Sequence, residues 1–472
     1  MRLDFPIYSA TVPSNGRIFR DPFPSRLTTM KRICLSVHAW AVLVLAPLPC
    51  RSQAEPEFHP LFNGADLSGW VNVNCAPETW SVREGVIHCT GRPIGALRTD
   101  RQFENFILEL EWRHLRAGGN AGIFIWASPI AAPGQPFLRA IEVQVLDHGY
   151  GKSDWFTTHG DVFPIHGSIM RPHGRHNGMR SFPSEERSKG SPEWNHYRID
   201  CRNGVLRLHV NGKEVSGGSE CNWRKGYIAL ESEGSPVEFR NIRIQELPAS
   251  GAGPAESAPE SRGFLPLYNG VDLRGWNLPS GSEGHWQSAD WVLRYDGASA
   301  AEIKDLWTEK SYRDFELIVD WRLPQEVRRP GHLVPKLLPD GSHEIGEHGQ
   351  ELTEPIADHG DSGIYLRGST KAQVNIWSWP AGSGEIWGYR TDPAFDSDLR
   401  HRLVPAKRAD RPFGEWNRFH LTLRGNTLEV ILNDIQVIAP MELPGLPGEG
   451  PIGLQHHGDP VEFANLYIRP LP

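Results

Sequence analysis

The stretch FHPLFNGADLSGW at residues 58–70 returns as FLPLYNGVDLRGW at residues 264–276, with nine of thirteen positions identical. Later blocks recur in the same order, as in FENFILELEWR (103–113) with YRDFELIVDWR (312–322), NAGIFIW (120–126) with DSGIYLR (361–367), and VEFRNIRI (237–244) with VEFANLYI (461–468). Collinear self-similarity along the chain indicates a duplicated domain rather than a few shared short motifs.

The boundaries of the two copies follow from the segment between them. Residues 247–262 read LPASGAGPAESAPESR, a composition typical of a flexible linker. We therefore predict a first domain over 55–247, a linker over 248–262 and a second domain over 263–472.

Each copy is predicted to be all-β. Segments such as FILELEWR (106–113) and LRLHVNG (206–212) alternate apolar and polar residues, which indicates half-buried antiparallel strands. The chain also has 48 Gly and 39 Pro, which favour many turns. About 190 residues per copy suit a two-sheet sandwich better than a small barrel. An insert of about 32 residues between Trp321 and Asp361 is expected to form a long loop or hairpin near one rim.

The N-terminal segment predicts export. Two basic residues at 31–32 precede an apolar run over 33–48, and small residues follow up to Ala54, as in a secretory signal peptide cleaved there. Residues 1–29, which precede this pattern, are interpreted as a misread start. The apolar run is too short for a membrane span, so we expect a periplasmic, cell-envelope or extracellular protein.

Charge and cysteine content narrow the partners. Without residues 1–54, the chain has 42 Lys and Arg against 55 Asp and Glu, so nucleic acid is not an expected partner. Four cysteines remain, and an oxidising compartment would permit one or two disulfides. These cysteines, whose spacing does not resemble a zinc site, are Cys75, Cys89, Cys201 and Cys221.

Five motifs together resemble the 3-keto-disaccharide hydrolase domain family. They are LFNG-x-D-L-x-GW, N-x-GIF or DSGIY, an E-x-Q strand, EWN and VEF-x-N, and they cover nearly all of both halves. The resemblance implies two tandem concanavalin A-like jelly-roll β-sandwich domains, each with a sugar site on its concave face. It also implies a carbohydrate substrate, namely a glycoside already oxidised to a ketone at sugar carbon 3.

Strand alternation selects candidate residues in the first copy. In FLRAIEVQVLDHG (137–149), Glu142 and Gln144 alternate with aliphatic residues and so face away from the core. Asn120, Phe124 and Trp126 share one face of the preceding strand, which suggests an amide and aromatic surface for a sugar. A lone outward glutamate is more typical of a merely solvated face, but its amide and aromatic neighbours favour a sugar site here.

The second copy repeats the alternation with different side chains. Lys371 and Gln373 share one face and align with Glu142 and Gln144, so one copy is expected to be degenerate or to serve a different sugar. The other polar or aromatic candidates of this copy are Asp361, Tyr365, Arg367, Trp377, Glu385, Tyr389 and Arg390.

The expected chemistry needs a base rather than a pair of glycosidase carboxylates. A ketone at carbon 3 acidifies the hydrogen on carbon 2, so a base can remove it and expel the aglycone from carbon 1, after which water adds back. We predict Glu142 as the base of the first copy, with Asp147, His148 and His166 as acid groups or ligands of a divalent metal. We predict Glu385 as the base of the second copy, with Arg367, Lys371 and Arg390 stabilising oxyanions. The predicted substrate contacts are Asn120, Trp126, Gln144, Asp361, Tyr365, Gln373, Trp377 and Tyr389.

Two other functions fit the same sequence. A non-catalytic carbohydrate-binding protein of the cell envelope would use the outward aromatic residues of both copies, Trp126 and Trp377, without bond cleavage. A structural role at the envelope would use only the surface of the duplicated domain.

Overall fold

A computed structural model describes residues 56–472 except 158, 325–326 and 339–341, with side chains described outside 327–330 and 357–359. The predicted signal peptide lies outside the described residues. The described residues belong to one compact unit that holds both copies.

The first copy is a sandwich of two antiparallel sheets. Its strands are β1 (His59–Pro60), β2 (Trp70–Val73), β3 (Trp80–Arg83), β4 (Val86–Cys89), β5 (Gly95–Thr99), β6 (Phe106–His114), β7 (Asn120–Ala127), β8 (Ala140–Leu146), β9 (Val162–Ile165), β10 (Ile169–Pro172), β11 (His176–Asn177), β12 (Arg180–Ser181), β13 (Asn195–Arg202), β14 (Val205–Val210), β15 (Lys213–Asn222), β16 (Tyr227–Ser232) and β17 (Val237–Glu246). One sheet has the order β10-β15-β14-β13-β6-β17-β4-β3 with β1 beside β17, and the other has the order β11-β12-β9-β8-β7-β16-β5-β2.

The second copy repeats this plan with a smaller second sheet. Its elements are β18 (Leu265–Pro266), β19 (Trp276–Asn277), β20 (Trp286–Ala289), β21 (Val292–Tyr295), β22 (Leu306–Tyr312), β23 (Phe315–Arg322), β24 (Val327–Pro335), β25 (Thr353–His359), β26 (Asp361–Leu366), β27 (Ser369–Trp377), α1 (Trp387–Arg390), α2 (Ser397–Arg402), β28 (Asn417–Arg424), β29 (Thr427–Leu432), β30 (Ile435–Glu442), β31 (Gly450–Leu454) and β32 (Val461–Pro470). Its sheets have the orders β20-β21-β32-β23-β28-β29-β30, with β18 beside β32, and β19-β22-β31-β26-β27. The fold class predicted from the sequence, two tandem β-sandwiches, is confirmed.

The alternation that predicted strands is the alternation that builds the cores. β13 and β28 lie at matching places in the two copies, and in both strands every second side chain from the first residue onward is buried. Because both sheets of a sandwich bury one face, this period of two places the large apolar residues between the sheets. The insert of the second copy forms an antiparallel hairpin of β24 and β25, as predicted.

The opening motif is a turn in both copies. The Asn63 side-chain oxygen accepts hydrogen bonds from the backbone N–H groups of Ala65 and Asp66, at 2.8 and 2.9 Å. Asn269 makes the same pair of bonds in the second copy, at 2.8 and 3.0 Å. The strong repeat of LFNG-x-D-L-x-GW therefore records a local turn requirement rather than a ligand site.

The segment 248–262 differs from the flexible linker that its composition predicts. Glu256 forms an ion pair with Arg224 at 2.8 Å, and Ser250 donates a hydrogen bond to Glu104 at 2.8 Å. The backbone N–H of Ser261 donates to the Tyr227 hydroxyl at 2.6 Å. These contacts hold the connection against the first sandwich, because its few polar residues find partners there.

The two sandwiches also share a buried polar network. Asp320 of β23 has no exposed surface and accepts hydrogen bonds from Arg418, Asn465 and the backbone N–H of Gly134 in the first sandwich. The Arg418 guanidinium donates in turn to the Ala131 carbonyl at 3.0 Å. The two sandwiches are therefore joined directly as well as through the chain.

The described cysteines are unpaired and buried, so no disulfide links the residues that the structure describes. Neither helix in this part of the chain has the length and apolar character needed to cross a membrane.

Candidate functional site

Three glutamates converge on one sheet face of the first sandwich. Glu142 lies on β8, Glu231 lies on β16, and Glu233 follows the end of β16. β7 runs between these strands, and a Cβ atom at Gly122 would lie 2.8 Å from a Glu231 oxygen and 2.9 Å from a Glu142 oxygen. The glycine of the N-x-GIF motif therefore leaves the room in which the two carboxyl groups approach one another. We call Glu142, Glu231 and Glu233 the carboxylate cluster.

Burial and mutual repulsion make the carboxylate cluster hold protons. Burial, followed by the charge of Glu233, raises the pKa of Glu142 to about 8. Burial likewise raises the pKa of Glu233 to about 7 and that of Glu231 well above its ordinary value. Near neutral pH the cluster thus contains both protonated and ionised carboxyl groups, which is the condition for paired acid and base chemistry.

Amide groups border the cluster. The Asn120 side-chain N–H donates to Glu233 at 2.5 Å, and the Gln144 amide donates to the Asn120 oxygen at 2.9 Å. The structure therefore brings Glu142, Gln144 and Asn120 together on one face, where the alternation placed them.

Arg180, a partly exposed arginine paired with a buried acid, supplies positive charge beside the cluster. Arg180 of β12 contacts the fully buried Asp161 at 3.0 Å, and its guanidinium lies 3.3 Å from the centre of the Phe163 ring. The charge of Arg180 acts to lower the pKa of both Glu142 and Glu233. An arginine in this position can stabilise negative charge that develops on a bound substrate.

Strand register shows which residues of the second sandwich correspond to these. Glu142 pairs with Phe124 across β7 and β8, whereas Gln373 pairs with Tyr365 across β26 and β27. Gln373 therefore stands where Glu142 stands, and the alignment of Lys371 with Glu142 is wrong by two residues. Because a slip of two leaves every side chain on the same face, the alternation alone could not detect it.

The neighbouring strand shows the same replacement of acids. Leu230 of β16 pairs with Ile123, and Leu454 of β31 pairs with Ile364, at matching places of the two sheets. GYIALESEGSPVEF (226–239) therefore aligns without gaps on GPIGLQHHGDPVEF (450–463). In this alignment Gln455 replaces Glu231 and His457 replaces Glu233.

The face of the second sandwich forms a cleft of about 660 Å³. We call it the second cleft because it belongs to the second sandwich. Four predicted residues line it together: Asp361, Tyr365, Lys371 and Gln373. Lys371 forms an ion pair with Asp392, and the His457 imidazole lies 3.5 Å from an Asp361 oxygen.

Two predicted residues leave the face because the strand becomes irregular at these residues themselves. Trp126 has a φ of 52° and Arg367 has a φ of 50°, and the register places both at the same point of the repeat. The left-handed backbone breaks the strict alternation there. The Trp126 ring lies in the core, and the Arg367 guanidinium bonds to Asp314 and to the Pro447 carbonyl. Neither the predicted sugar contact of Trp126 nor the predicted oxyanion role of Arg367 fits these positions.

The predicted partners of Glu142 lie at opposite ends of β8. Asp147 follows the strand, and it accepts hydrogen bonds from the backbone N–H groups of Gly118, Gly149 and Ser191 at 2.7–2.8 Å. Although burial raises the pKa of Asp147, these bonds hold it below its ordinary value. Asp147 is thus a cap of the local backbone and does not face Glu142.

His166 follows β9 and lies beside the other end of β8. It follows Ile165, which pairs with Ala140 at the start of β8, and its ring stacks on Phe137. Burial lowers the pKa of His166 to about 4. The predicted grouping of Glu142, Asp147 and His166 is therefore wrong.

The predicted metal site of Asp147 and His148 also differs from the group of possible ligands that the structure brings together. Among the described residues, His148, His159 and Glu186 alone bring three ligand atoms within 4.8 Å of one another. The His159 ring nitrogen already accepts hydrogen bonds from the backbone N–H groups of Arg187 and Ser188, at 3.3 and 3.2 Å. The backbone thus already engages one nitrogen of the His159 ring in this group.

The predicted base of the second copy is a structural ion pair. Glu385 has no exposed surface, pairs with Arg390 and accepts a hydrogen bond from Asn375 at 2.7 Å. The Glu385 carbonyl accepts a hydrogen bond from the backbone N–H of Asn375, just as the Asp161 carbonyl accepts one from Gln144. Glu385 therefore occupies the place of Asp161, and its pair with Arg390 repeats the pair of Asp161 and Arg180.

Two aromatic predictions for the second copy are also corrected. Tyr389 is buried in the core, because the helix α1 turns it inward. Trp377 stacks on Trp379 at 4.7 Å and packs against the apolar cluster that Val334 of the insert hairpin forms with Trp379 and Val404. The hairpin therefore covers the indole that the strand pattern predicted to be open to a sugar.

Alternation along single strands missed several site residues. The missed residues of the first sandwich lie outside the strand that carries Glu142: Glu231, Glu233, Asp161 and Arg180. Their counterparts or neighbours in the second cleft are Gln455, His457 and Trp387. The signal that could have found them is the gap-free match of residues 226–239 with 450–463, where acids are exchanged within otherwise similar strands.

The raised pKa values predict that stability falls as pH rises. The folded protein holds protons on Glu233 and Glu142 up to about pH 7 and 8, whereas the unfolded chain releases them near the ordinary value of 4.5. Each such proton lowers the free energy of unfolding by about 1.4 kcal/mol per pH unit across that window. Urea unfolding at pH 5 and pH 8 should show this loss, and Glu231→Gln should reduce it by removing one acid from the cluster. Glu193→Gln, at an exposed glutamate of the same sandwich, should leave the pH dependence as in the wild type.

Tandem β-sandwiches with polar, acid-bearing sheet faces are the class of protein that these features define. Within that class, the chain belongs to the family of 3-keto-alpha-glucoside-1,2-lyase-like domains, whose model matches residues 57–245 and again residues 263–469. This confirms the family resemblance and the tandem duplication.

Similar proteins match about two fifths of the chain. A 3-keto-disaccharide hydrolase of Bacteroides thetaiotaomicron is 24% identical over 235 residues, which are 40% of this chain and 77% of that protein. A "putative glycosyl hydrolase" of Parabacteroides distasonis is 21% identical with a TM-score of 0.33, covering 40% of this chain and 94% of that chain. A carbohydrate binding module from Bacillus subtilis is 13% identical with a TM-score of 0.27, covering 38% and 96%.

Proposed function

We propose that the protein is an exported hydrolase that cleaves 3-keto-glycosides in its first sandwich by elimination followed by hydration. The observation that carries the proposal is the carboxylate cluster, whose groups are partly protonated near neutral pH. Membership of a family described as 3-keto-alpha-glucoside-1,2-lyase-like supports the substrate class. The name of the relative from Bacteroides thetaiotaomicron supports hydrolysis as the net reaction.

The reaction assigns one role to each kind of group. Glu142 in its ionised form, which becomes more populated as the pH rises towards its pKa of about 8, removes the proton on carbon 2. The electron pair left there forms the carbon 1–carbon 2 double bond as the bond from carbon 1 to the aglycone oxygen breaks. The hydrogen-bonded pair of Glu231 and Glu233 supplies a proton to the departing oxygen. Arg180 stabilises the negative charge that the ketone oxygen gains during proton removal. Water then adds at carbon 1 and gives up one proton to the Glu231 and Glu233 pair, which restores the proton that the leaving group took. Glu142 returns its proton to carbon 2, so the net change is hydrolysis.

Export is part of the proposal and rests on the sequence. The basic pair at 31–32, the apolar run over 33–48 and the small residues up to Ala54 support cleavage of a signal peptide before the first sandwich.

The substrate class is tested by comparing two glucosides with the same leaving group. The full chain without residues 1–54 is expected to release p-nitrophenol from p-nitrophenyl 3-keto-α-glucoside and not from the parent α-glucoside. The difference arises because only the ketone makes the proton on carbon 2 acidic enough for a carboxylate to remove. Release from the unoxidised glucoside at a comparable rate would contradict the elimination and would favour an ordinary glycosidase mechanism.

A further inference from the structure

The second cleft lies where the carboxylate cluster lies in the first sandwich, but it lacks the three glutamates of that cluster. Gln373 and Gln455 occupy the positions of Glu142 and Glu231, and the Gln373 amide donates to the Gln455 oxygen at 2.9 Å. Side-chain amides donate and accept hydrogen bonds, but they do not change protonation state in this pH range and so cannot act as an acid or a base. The nearby Glu385 is fully buried and paired with Arg390. None of the three positions of the carboxylate cluster therefore carries a carboxyl group here, and the carboxylates that do line the cleft, Asp361 and Asp392, lie beside His457 and Lys371.

An exposed indole lines the same cleft. Trp387 is 46% exposed and lies on α1. This helix packs closely on β27, as shown by Gly388, where an added Cβ atom would lie only 2.6 Å from the Lys371 Cα. On the floor of the cleft, Tyr365 stacks on Trp307 with ring centres 5.4 Å apart. A partly exposed aromatic ring beside fixed amides presents a flat apolar face and hydrogen-bonding groups together.

The charges of the second cleft are largely compensated within it. Lys371 pairs with Asp392 and also lies 4.3 Å from the centre of the Phe395 ring. His457 lies beside Asp361. A ligand with a strong charge of either sign would have to break one of these pairs, whereas a neutral polyhydroxyl ligand can bond to them as they stand.

We propose that the second cleft binds a neutral, unoxidised pyranoside without cleaving it, with the sugar ring on Trp387 and the hydroxyl groups on Gln373 and Gln455. The stacking face of a pyranose is formed by its C–H groups, which match the apolar indole. The proposal goes beyond the cleavage assigned to the first sandwich and does not depend on it, because it concerns binding of sugars that carry no ketone.

The test is calorimetric titration of the full chain with maltotriose and cellotriose, two neutral glucose trisaccharides. Trp387→Ala is expected to weaken binding of the better trisaccharide by at least about tenfold, since stacking on a desolvated aromatic ring contributes on this scale. Trp155→Ala, at a 57% exposed tryptophan of the first sandwich, should leave the affinity unchanged. Gln455→Ala should also weaken binding, which separates loss of a hydrogen-bonding group from any local effect on α1.

Three results would overturn the proposal. Binding of neither trisaccharide by the wild type would remove the ligand class, and equal binding by wild type and Trp387→Ala would remove the site. Release of aglycone that survives Glu142→Gln but disappears in His457→Ala would make the second cleft catalytic. Absence of aglycone release by the wild type, with trisaccharide binding that depends on Trp387, would contradict only the function proposed for the first sandwich.

Discussion

Glu142→Gln is expected to lower release of p-nitrophenol from p-nitrophenyl 3-keto-α-glucoside by about 100-fold or more, since a positioned general base contributes 10²–10⁴-fold. Glutamine cannot accept the proton from carbon 2. It should fit the site, because the second sandwich has Gln373 at the matching position. Steady-state kinetics should show the loss in kcat with little change in KM, since the amide retains most of the shape and hydrogen bonding of the side chain.

Glu385→Gln is the comparison that assigns the reaction to one sandwich. This change removes the other predicted base, which the structure shows as the buried partner of Arg390. We expect reduced stability and an unchanged rate per folded molecule. A wild-type rate of p-nitrophenol release in Glu142→Gln would contradict the assignment to the carboxylate cluster. So would a loss of activity in Glu385→Gln that is larger than its loss of folded protein.

The sequence predicted the architecture because duplication and alternation are properties of neighbouring residues. The repeated turn around Asn63 and Asn269 and the period of two in β13 and β28 are local, and both can be read from a single strand or turn. The connection over 248–262 was predicted to be flexible because its composition is low in apolar residues. Composition says nothing of Arg224 and Glu104, the partners that hold it in place.

The site was predicted only as far as regular strand geometry holds. Glu142, Gln144 and Asn120 lie where the alternation placed them. Trp126 and Arg367 do not, because a single left-handed residue ends the alternation at the same point of both copies.

Contacts between strands that are distant in sequence were beyond the alternation. Glu231 reaches Glu142 only because β16 and β8 both lie beside β7. The same limitation explains the error of two residues in matching Lys371 with Glu142, since register is set by pairing with the next strand and not by the strand itself.

Removal of the Asp320 carboxylate should cost about 3–5 kcal/mol of the free energy of unfolding, the usual effect of breaking a buried ion pair by removing one partner. Asp320→Ala would leave the Arg418 guanidinium buried without its anion and would orphan the side-chain N–H of Asn465 and the backbone N–H of Gly134. The loss acts on both sandwiches, because Gly134 belongs to the first and the other two residues belong to the second. Urea unfolding of the full chain at constant pH measures it.

The repeat supplies a matched control for this change. Glu111 occupies the position of Asp320 in the first copy, where it forms an ion pair with Arg240 at 2.6 Å and both side chains are partly exposed, at 26% and 36%. Glu111→Ala should cost at most about 1 kcal/mol, because solvent screens an exposed pair and solvates the partner that remains. Equal losses in the two variants would mean that Asp320 contributes no more than an ordinary surface charge, and that the sandwiches are held together by their apolar contacts. A much larger loss in Asp320→Ala would instead show that the polar network fixes the two copies as one folding unit, although composition alone predicted two domains on a flexible connection.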